Sequence, residues 1–414
     1  MKKIAFQGGL LIDGNGGAPV KDSLVLISEG KIEYAGLKQK IGEDYEFNDI
    51  SGKTIMPGLI DSHLHFSGNL TDNDTDWVME DNLQKAVVAV QQSRECLETG
   101  LTTVGEISRF GIPIRNMIEQ GVMSGPRVVA TGLGFCATCG HGDSHHVSPE
   151  TNKNGHPWAE CVDGPWDLRK AVRRRLRENP DAIKIWATGG GIWRWETAMD
   201  QHYAMEEVQA VVDECNMRHV PVWSHCFGSA YNSAVAGVDL IIHGLSLDDE
   251  TLDIMAAKGI ALCPTINFMP AWYTTFPPVY DPALHDKFEG KTTAEKELQR
   301  VYDNLRKANA KGILLTIGSD SFNSQMTPYG ETAVGELHAF VEKAGISAMD
   351  TIKAATINGA KVLRVDNVTG SLEAGKSADL LVIEGNPLEN IRTISVRNMR
   401  LIMKEGRIIA SEAK

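Results

Sequence analysis

The triplet "HLH" at residues 63–65 sets two imidazoles two positions apart, and in a strand that spacing turns both to one face. Groups of the same chemical type recur downstream, each closing a short apolar run: His225 in "PVWSHC", His243 in "DLIIHG" and Asp320 in "ILLTIGSD". Imidazole nitrogens with a carboxylate suit zinc or another borderline divalent metal. Four histidines and one aspartate exceed what a single tetrahedral ion takes, so a pair of ions sharing a bridge fits the set. Each group alone has a plainer reading. A strand-end histidine can be a hydrogen-bonded structural residue, and Asp320 can cap a following helix. Their arrival together at the ends of four different strands favours metal.

Lys184 sits in "AIKIWATG", between isoleucines and ahead of a tryptophan, where an ammonium loses its water. Such surroundings lower a lysine pKa until the amine becomes neutral. A neutral amine can add carbon dioxide to give a carbamate, an anion with two oxygens that can bridge two cations. The alternative is a buried lysine paired with an acid such as Asp320.

The elements that must position these groups read as one repeated phrase from residue 57 onward: apolar strand, polar or glycine-rich turn, helix with 3.6-residue periodicity. The predicted strands are 58–66, 102–107, 127–132, 182–189, 221–226, 239–244, 260–266 and 313–320. Helical patterns between them include "DLRKAVRRRLREN", "MEEVQAVVDECNMR", "DDETLDIMAAKG" and "AEKELQRVYDNLRKANAKG". Apolar strands alternating with helices imply a parallel sheet covered by helices, and eight units imply an α/β fold of the (β/α)8 TIM barrel type. A doubly wound open sheet is the alternative. Residues 1–56 and 366–414 instead read as turn-broken hairpins. Neither end has a sufficient core alone, so the two are expected to combine in a small β-sandwich beside a barrel spanning 57–365.

The 414 residues are 42% hydrophobic with a net charge of −13. Basic residues are scattered, apart from Arg173, Arg174 and Arg175, which argues against nucleic acid or an anionic membrane as partner. No apolar run approaches the ~20 residues that span a bilayer, and no signal-peptide pattern opens the chain. Seven cysteines without framework spacing suit reduced thiols and make the cytoplasm the expected compartment. The single CxxC pair, Cys136 and Cys139, is expected to be two ordinary buried thiols.

The set "PGLIDSHLHF", "IKIWATGGG", "SHC", "IIHG" and "GSD", with "GPRVVATG", "HGLSLDDET", "AATINGAKVL" and the closing "GSLEAGKSADLLVIEGNPLENI", resembles the amidohydrolase superfamily. The closer resemblance is to the branch of imidazolonepropionase-related proteins, Xaa-Pro dipeptidases and arginine-type carboxypeptidases. It implies that His63, His65 and Asp320 hold one divalent ion, expected to be zinc, and His225 and His243 a second. Carboxylated Lys184 and a hydroxide would bridge them. It further implies that Asp320 takes the proton of the attacking hydroxide and passes it to the leaving amine, so that a carbon–nitrogen bond is hydrolysed. His141, in "CGHGDSHH", lies where peptidase members carry a histidine near the substrate, and is the expected substrate contact.

Two features set this chain apart. Phe227 stands two residues after His225, where peptidase relatives often have tyrosine, and cannot donate a hydrogen bond. The loop "GGGIWRWETAMDQHY" offers Trp193 and Trp195 for an apolar group and Arg194 for a carboxylate. Equally, the tryptophans can pack the loop and Arg194 can be solvated. The apolar, proline-rich stretch 267–280 has the character of a lid or a subunit contact, the latter in a homo-oligomer. The expected activity is hydrolysis of a small amide, such as a dipeptide or N-acyl amino acid. Cyclic-amide hydrolysis of the imidazolonepropionase kind and deamination normally use one ion and need no carbamate. A lactone or phosphotriester hydrolase would share the bridged site. A non-catalytic binding protein on this scaffold would have lost ligands that are all present here.

Overall fold

Strands buried on both faces read as near-continuous apolar runs, and the Ile183–Trp186, Val222–Cys226 and Leu240–His243 strands are wholly buried, interrupted by Lys184, Ser224, His225 and His243. The computed structural model describes residues 3–71, 73, 75–193, 195–267, 269 and 293–411, with side chains of the last stretch from 298. It is an α/β structure. Leu59–Leu64, Leu101–Glu106 and Arg127–Ala130 pair in parallel. A second parallel ladder runs in the order Ala159–Cys161, Gly134–Cys136, Ile183–Trp186, Val222–Cys226, Leu240–His243, Ala261–Cys263. Helices Pro165–Leu176, Met205–Asn216, Asp249–Lys258 and Thr293–Ala310 separate successive strands at the positions their periodicity predicts.

The predicted eighth strand, 313–320, does not form a regular ladder. It makes one parallel bridge, Leu262 with Leu315, and its backbone turns into the left-handed region at Asp320 (φ 54°). It still lies between the sheet's two ends. Leu262 N donates to Leu314 O (3.0 Å), Thr316 N to Leu262 O (3.0 Å), and Ser62 N to Ile317 O (2.9 Å). On the other side Asp181 N donates to Ala130 O (2.8 Å), linking the two ladders. The short strands 134–136 and 159–161 were not predicted. They place Cys136 beside Cys161 in register, Sγ to Sγ 3.7 Å, while Cys139 is exposed. The expectation of a buried CxxC pair therefore fails at Cys139. Its φ of 63° belongs to a turn that swings the thiol outward.

Both chain ends are β-rich. One sheet orders Lys31–Leu37, Ser23–Ser28, Lys3–Gln7 and Tyr45–Asp49; another orders Arg407–Ser411, Met399–Lys404, Leu380–Glu384, Lys53–Pro57 and Leu10–Leu11. Phe6, Val25, Ile27 and Ile55 from the first end join Leu380, Val382, Leu401 and Met403 from the other in one apolar cluster, distinct from the main core. No described helix is long and apolar enough to cross a membrane.

An ion pair fastens these end segments to the parallel sheet. Arg127 Nη1, from the Arg127–Ala130 strand, lies 2.6 Å from Asp379 Oδ2, whose side chain is wholly buried. Asp379 Oδ1 also accepts from Glu405 N and from Ser377 Oγ, both at 2.8 Å. Burial alone would raise the Asp379 pKa, but Arg127 and these donors override it and hold the carboxyl below its ordinary value. A depressed folded-state pKa stabilises the protein above the unfolded carboxylate pKa, about 3.9, and that contribution disappears as pH falls through the folded value. Asp379→Asn is expected to lower unfolding free energy by about 2–4 kcal/mol at neutral pH, because it leaves Arg127 without its buried partner. The deficit relative to wild type should shrink in urea titrations as pH drops toward and below 4; a pH-independent deficit would assign the effect to packing.

Candidate active site

Backbone hydrogen bonds sew the HLH segment to the turn that carries Asp320. Asp320 N donates to His63 O and His65 N to Ser321 O, each at 2.8 Å. Beneath them the buried Asp61 carboxylate accepts from His63 N and Ser319 N, both at 3.1 Å, so one side chain braces both ligand-bearing segments. Burial pushes the Asp61 pKa up to about 7. Asp61 was not singled out in the sequence, where it reads as one more polar residue of "LIDSH".

The bracing brings His63 Nε2 to 3.0 Å and His65 Nε2 to 3.2 Å from Asp320 Oδ1. His65 Nδ1 lies 2.7 Å from the carbonyl oxygen of Ile107. A carbonyl only accepts, so Nδ1 carries the hydrogen, and in a neutral ring Nε2 turns a lone pair toward a carboxylate oxygen. In that state the two atoms repel unless something positive lies between them, a proton or a metal ion. Ligand-type atoms of His63, His65 and Asp320 all fall within 4.8 Å of one another.

The neighbouring groups carry the chemistry of a cation site. Burial, with the Lys184 charge, brings the His63 pKa down to about 3, and burial likewise holds His225 and His243 well below the usual imidazole value. All three are neutral at pH 7, the form that ligates metals. Burial opposes ionisation of Asp320, but its contacts with His63 and His65 prevail and keep it a carboxylate. His225 Nε2 is 3.2 Å from the carbonyl of Gly189, which leaves its Nδ1 with the lone pair; His243 Nδ1 is 2.6 Å from Thr265 Oγ1. Ring centroids stand 5.0 Å apart for His63 and His65, 5.4 Å for His63 and His243, and 4.5 Å for His225 and His243. His243 (φ 71°), Thr265 (φ 49°) and Asp320 (φ 54°) all adopt left-handed backbone, a conformation costing about 1 kcal/mol or more that concentrates where a site holds it in place.

Lys184 faces this cluster. Its Nζ is buried and has no hydrogen-bond partner among the described residues. Its charge acts on His63, His225 and His243, and burial pushes its pKa down to about 7, so near neutrality about half the amines are uncharged. The alternative of a structural ion pair has no support in the contacts: Asp320 spends its nearest oxygen on the two histidines, and no bond joins it to Lys184. The donor set therefore fits a metal centre, and a buried orphan amine fits a group completed by carbon dioxide. Gly318 is required beside it, since a Cβ there would meet Cys263 Sγ and come within 2.9 Å of His63 Cβ.

A cavity of about 470 Å³, measured out to its open mouth, lies over the cluster and is walled by Trp77, Trp158, Trp186, Ile192, Phe227 and Phe322, with His141. Phe227 stacks on His225 at 4.7 Å and meets His243 edge-on at 4.5 Å. Trp77, in the short helix Asp76–Met79, and Trp158 and Phe322, in loops, are far apart in the chain, and nothing in local periodicity marks them as neighbours. The structure brings His141 to the cluster, its ring 4.7 Å from that of His225. Trp193 is buried behind it instead of on the wall. An indole N–H out of water needs an acceptor, and Trp193 Nε1 finds the His141 carbonyl at 2.7 Å. Trp195 is exposed. Arg194 and most of the stretch 267–280 lie outside the described residues. Glu196, unremarked in the sequence, is wholly buried and holds His141 Nδ1 at 2.8 Å.

Known proteins resemble this chain over nearly its whole length. Ochratoxinase of Aspergillus niger is 29% identical over 417 residues, covering 94% of this chain and 83% of the relative. The crystal structure of A. niger ochratoxinase superposes with a TM-score of 0.87 at 24% identity, covering 99% of this chain and 96% of the other. A Xaa-Pro dipeptidase crystallised with methionine in its active site gives a TM-score of 0.83 at 28% identity, covering 99% and 100%. The family model described as "Amidohydrolase family" matches residues 54–409. The chain belongs to the amidohydrolase family and is a hydrolase of carbon–nitrogen bonds of the amide type.

Proposed function

We propose that this protein is a binuclear metal-dependent amidohydrolase that cleaves a small amide, a dipeptide or N-acyl amino acid, bearing an aromatic or apolar group. The observation that carries the reading is the buried, partnerless amine of Lys184 among neutral imidazoles and the Asp320 carboxylate. His63, His65 and Asp320 would hold one ion, and His225 and His243 the other. Lys184 would serve both as a carbamate: its neutral nitrogen bonds to carbon dioxide and one proton is released. Bound divalent ions, zinc in the first instance, lower the pKa of a shared water and polarise the scissile carbonyl. Asp320 takes a proton on its carboxylate and returns it to the leaving nitrogen. His141 offers its Nε2 to a polar atom of the substrate. The tryptophans and Phe322 receive the apolar group and exclude water, which strengthens every charge interaction inside. Phe227 cannot supply an oxyanion hydrogen bond, so that duty falls to other groups.

The wider architecture we infer is a (β/α)8 barrel over 57–365, closed by the stretch 313–320, with residues 1–56 and 366–414 forming a β-sandwich. The likeness to a Xaa-Pro dipeptidase supports a dipeptide-type amide substrate.

Metal-replete enzyme supplied with bicarbonate should hydrolyse N-benzoyl-L-phenylalanine or Phe-Pro faster than small polar dipeptides; preference for a cyclic imide would overturn the substrate class. Lys184→Ala is expected to lose the paired ions by elemental analysis and to lower kcat/KM roughly 1,000-fold. Two tightly held ions in that variant would remove the carbamate. Gly318→Ala, whose new methyl would press on both Cys263 Sγ and His63 Cβ, should bind zinc at least about tenfold more weakly, as read by chelator competition.

A further inference from the structure

We propose that Glu196 is a positioning residue that fixes the His141 ring, with the hydrogen on Nδ1 and Nε2 presented to the cavity. This deepens the proposed function and rests on its reading of His141 as a substrate contact.

The Glu196 carboxylate is wholly buried at the centre of the loop following the Ile183–Trp186 strand. Oε1 accepts from His141 Nδ1 (2.8 Å), Ile192 N (3.2 Å) and Trp193 N (3.4 Å); Oε2 accepts from Gly190 N (3.0 Å). A carboxylate accepts only, so the His141 nitrogen facing it must bear hydrogen. The rest of His141 is held by the same loop. Its backbone N donates to His202 Nδ1 (3.3 Å), and its carbonyl accepts from Trp193 Nε1 (2.7 Å). The ring lies directly against Gly190, where a Cβ would overlap it, and its other neighbours are the rings of His225 and Phe227. Its translation, tilt and tautomer are thus all set by the 189–203 loop, and Nε2 is the remaining polar atom of a residue lining the cavity. A histidine with its second nitrogen held by a carboxylate is a recurrent way to orient an imidazole for work at the first, and removing such a partner typically costs about 10–100-fold.

Glutamine tests this because it cannot substitute fully. Donors converge on both carboxylate oxygens, so either orientation of an amide turns its NH2 toward at least one N–H. Glu196→Gln should retain fold and metal content. Its crystal structure should show the His141 ring rotated or disordered, and kcat/KM for the better of N-benzoyl-L-phenylalanine and Phe-Pro should fall about 10–100-fold. Gly190→Ala moves the ring by another route. Gly190 does not use left-handed backbone, so alanine strains nothing but the contact with the imidazole. It should reproduce the loss with Glu196 in place. In a His141→Ala background neither substitution should reduce turnover further.

A ring that stays in place in Glu196→Gln, or an undiminished penalty from Glu196→Gln in the His141→Ala background, overturns the proposal and leaves Glu196 as a loop anchor. Wild-type turnover of His141→Ala with metals retained would instead overturn the substrate-contact reading, while the ring position in Glu196→Gln still decides the role of Glu196.

Discussion

The approach of His63 Nε2 and His65 Nε2 to one Asp320 oxygen, at 3.0 and 3.2 Å, is the arrangement around which the rest of this molecule is organised. His65 cannot relieve it by switching tautomer, because the Ile107 carbonyl holds its other nitrogen as a donor. Asp320 cannot turn away, because its backbone is bonded to His63. The fold thus holds three ligand-type groups together at one point. Left-handed backbone at His243 and Asp320 adds about 1 kcal/mol or more of strain at each position. An ion held at such a site would add its binding free energy to the stability of the fold.

The same desolvation that makes the polar cluster tense makes it reactive. A lysine in water remains an ammonium at pH 7; one buried with a pKa near 7 presents a nucleophilic amine about half the time. The aromatic walls serve that end as well as recognition. Trp158 packs on His65 at 5.4 Å and Phe227 on His225 at 4.7 Å, so aromatic rings cover the imidazoles. Charge interactions that would be worth about 1 kcal/mol in bulk water gain severalfold in such surroundings.

Much of this was legible in the chain, and the parts that were not share a cause. Period-two spacing in "HLH", apolar strands ending in His225 and His243, and the misplaced Lys184 are local patterns, and local patterns survive folding. The helices likewise fall where their 3.6-residue periodicity puts them. The stretch 313–320 looked like a strand by composition, but the turn at Asp320 answers to the ligand cluster and not to propensity. Glu196 lies in "RWETAMD", where an acidic residue reads as solvated; only the distant His141 and three backbone N–H groups make it a buried hub. Trp77, Trp158 and Phe322 meet across more than 240 positions of sequence, beyond any pattern a window can hold.

The two ends of the parallel strands divide the labour. Arg127 begins the Arg127–Ala130 strand and is tied to Asp379, so the sheets from the chain termini are fastened where the strands start. The candidate ligands gather where strands finish: His225 is next to last in Val222–Cys226, and His243 closes Leu240–His243. The arrangement has a physical logic. Ion pairs and apolar clusters that only stabilise can be fully satisfied at one end, and their surplus offsets unsatisfied lone pairs, backbone strain and a buried amine at the other. A site held in tension needs a scaffold whose stability is generated elsewhere, and in this chain the separation follows the direction of the strands.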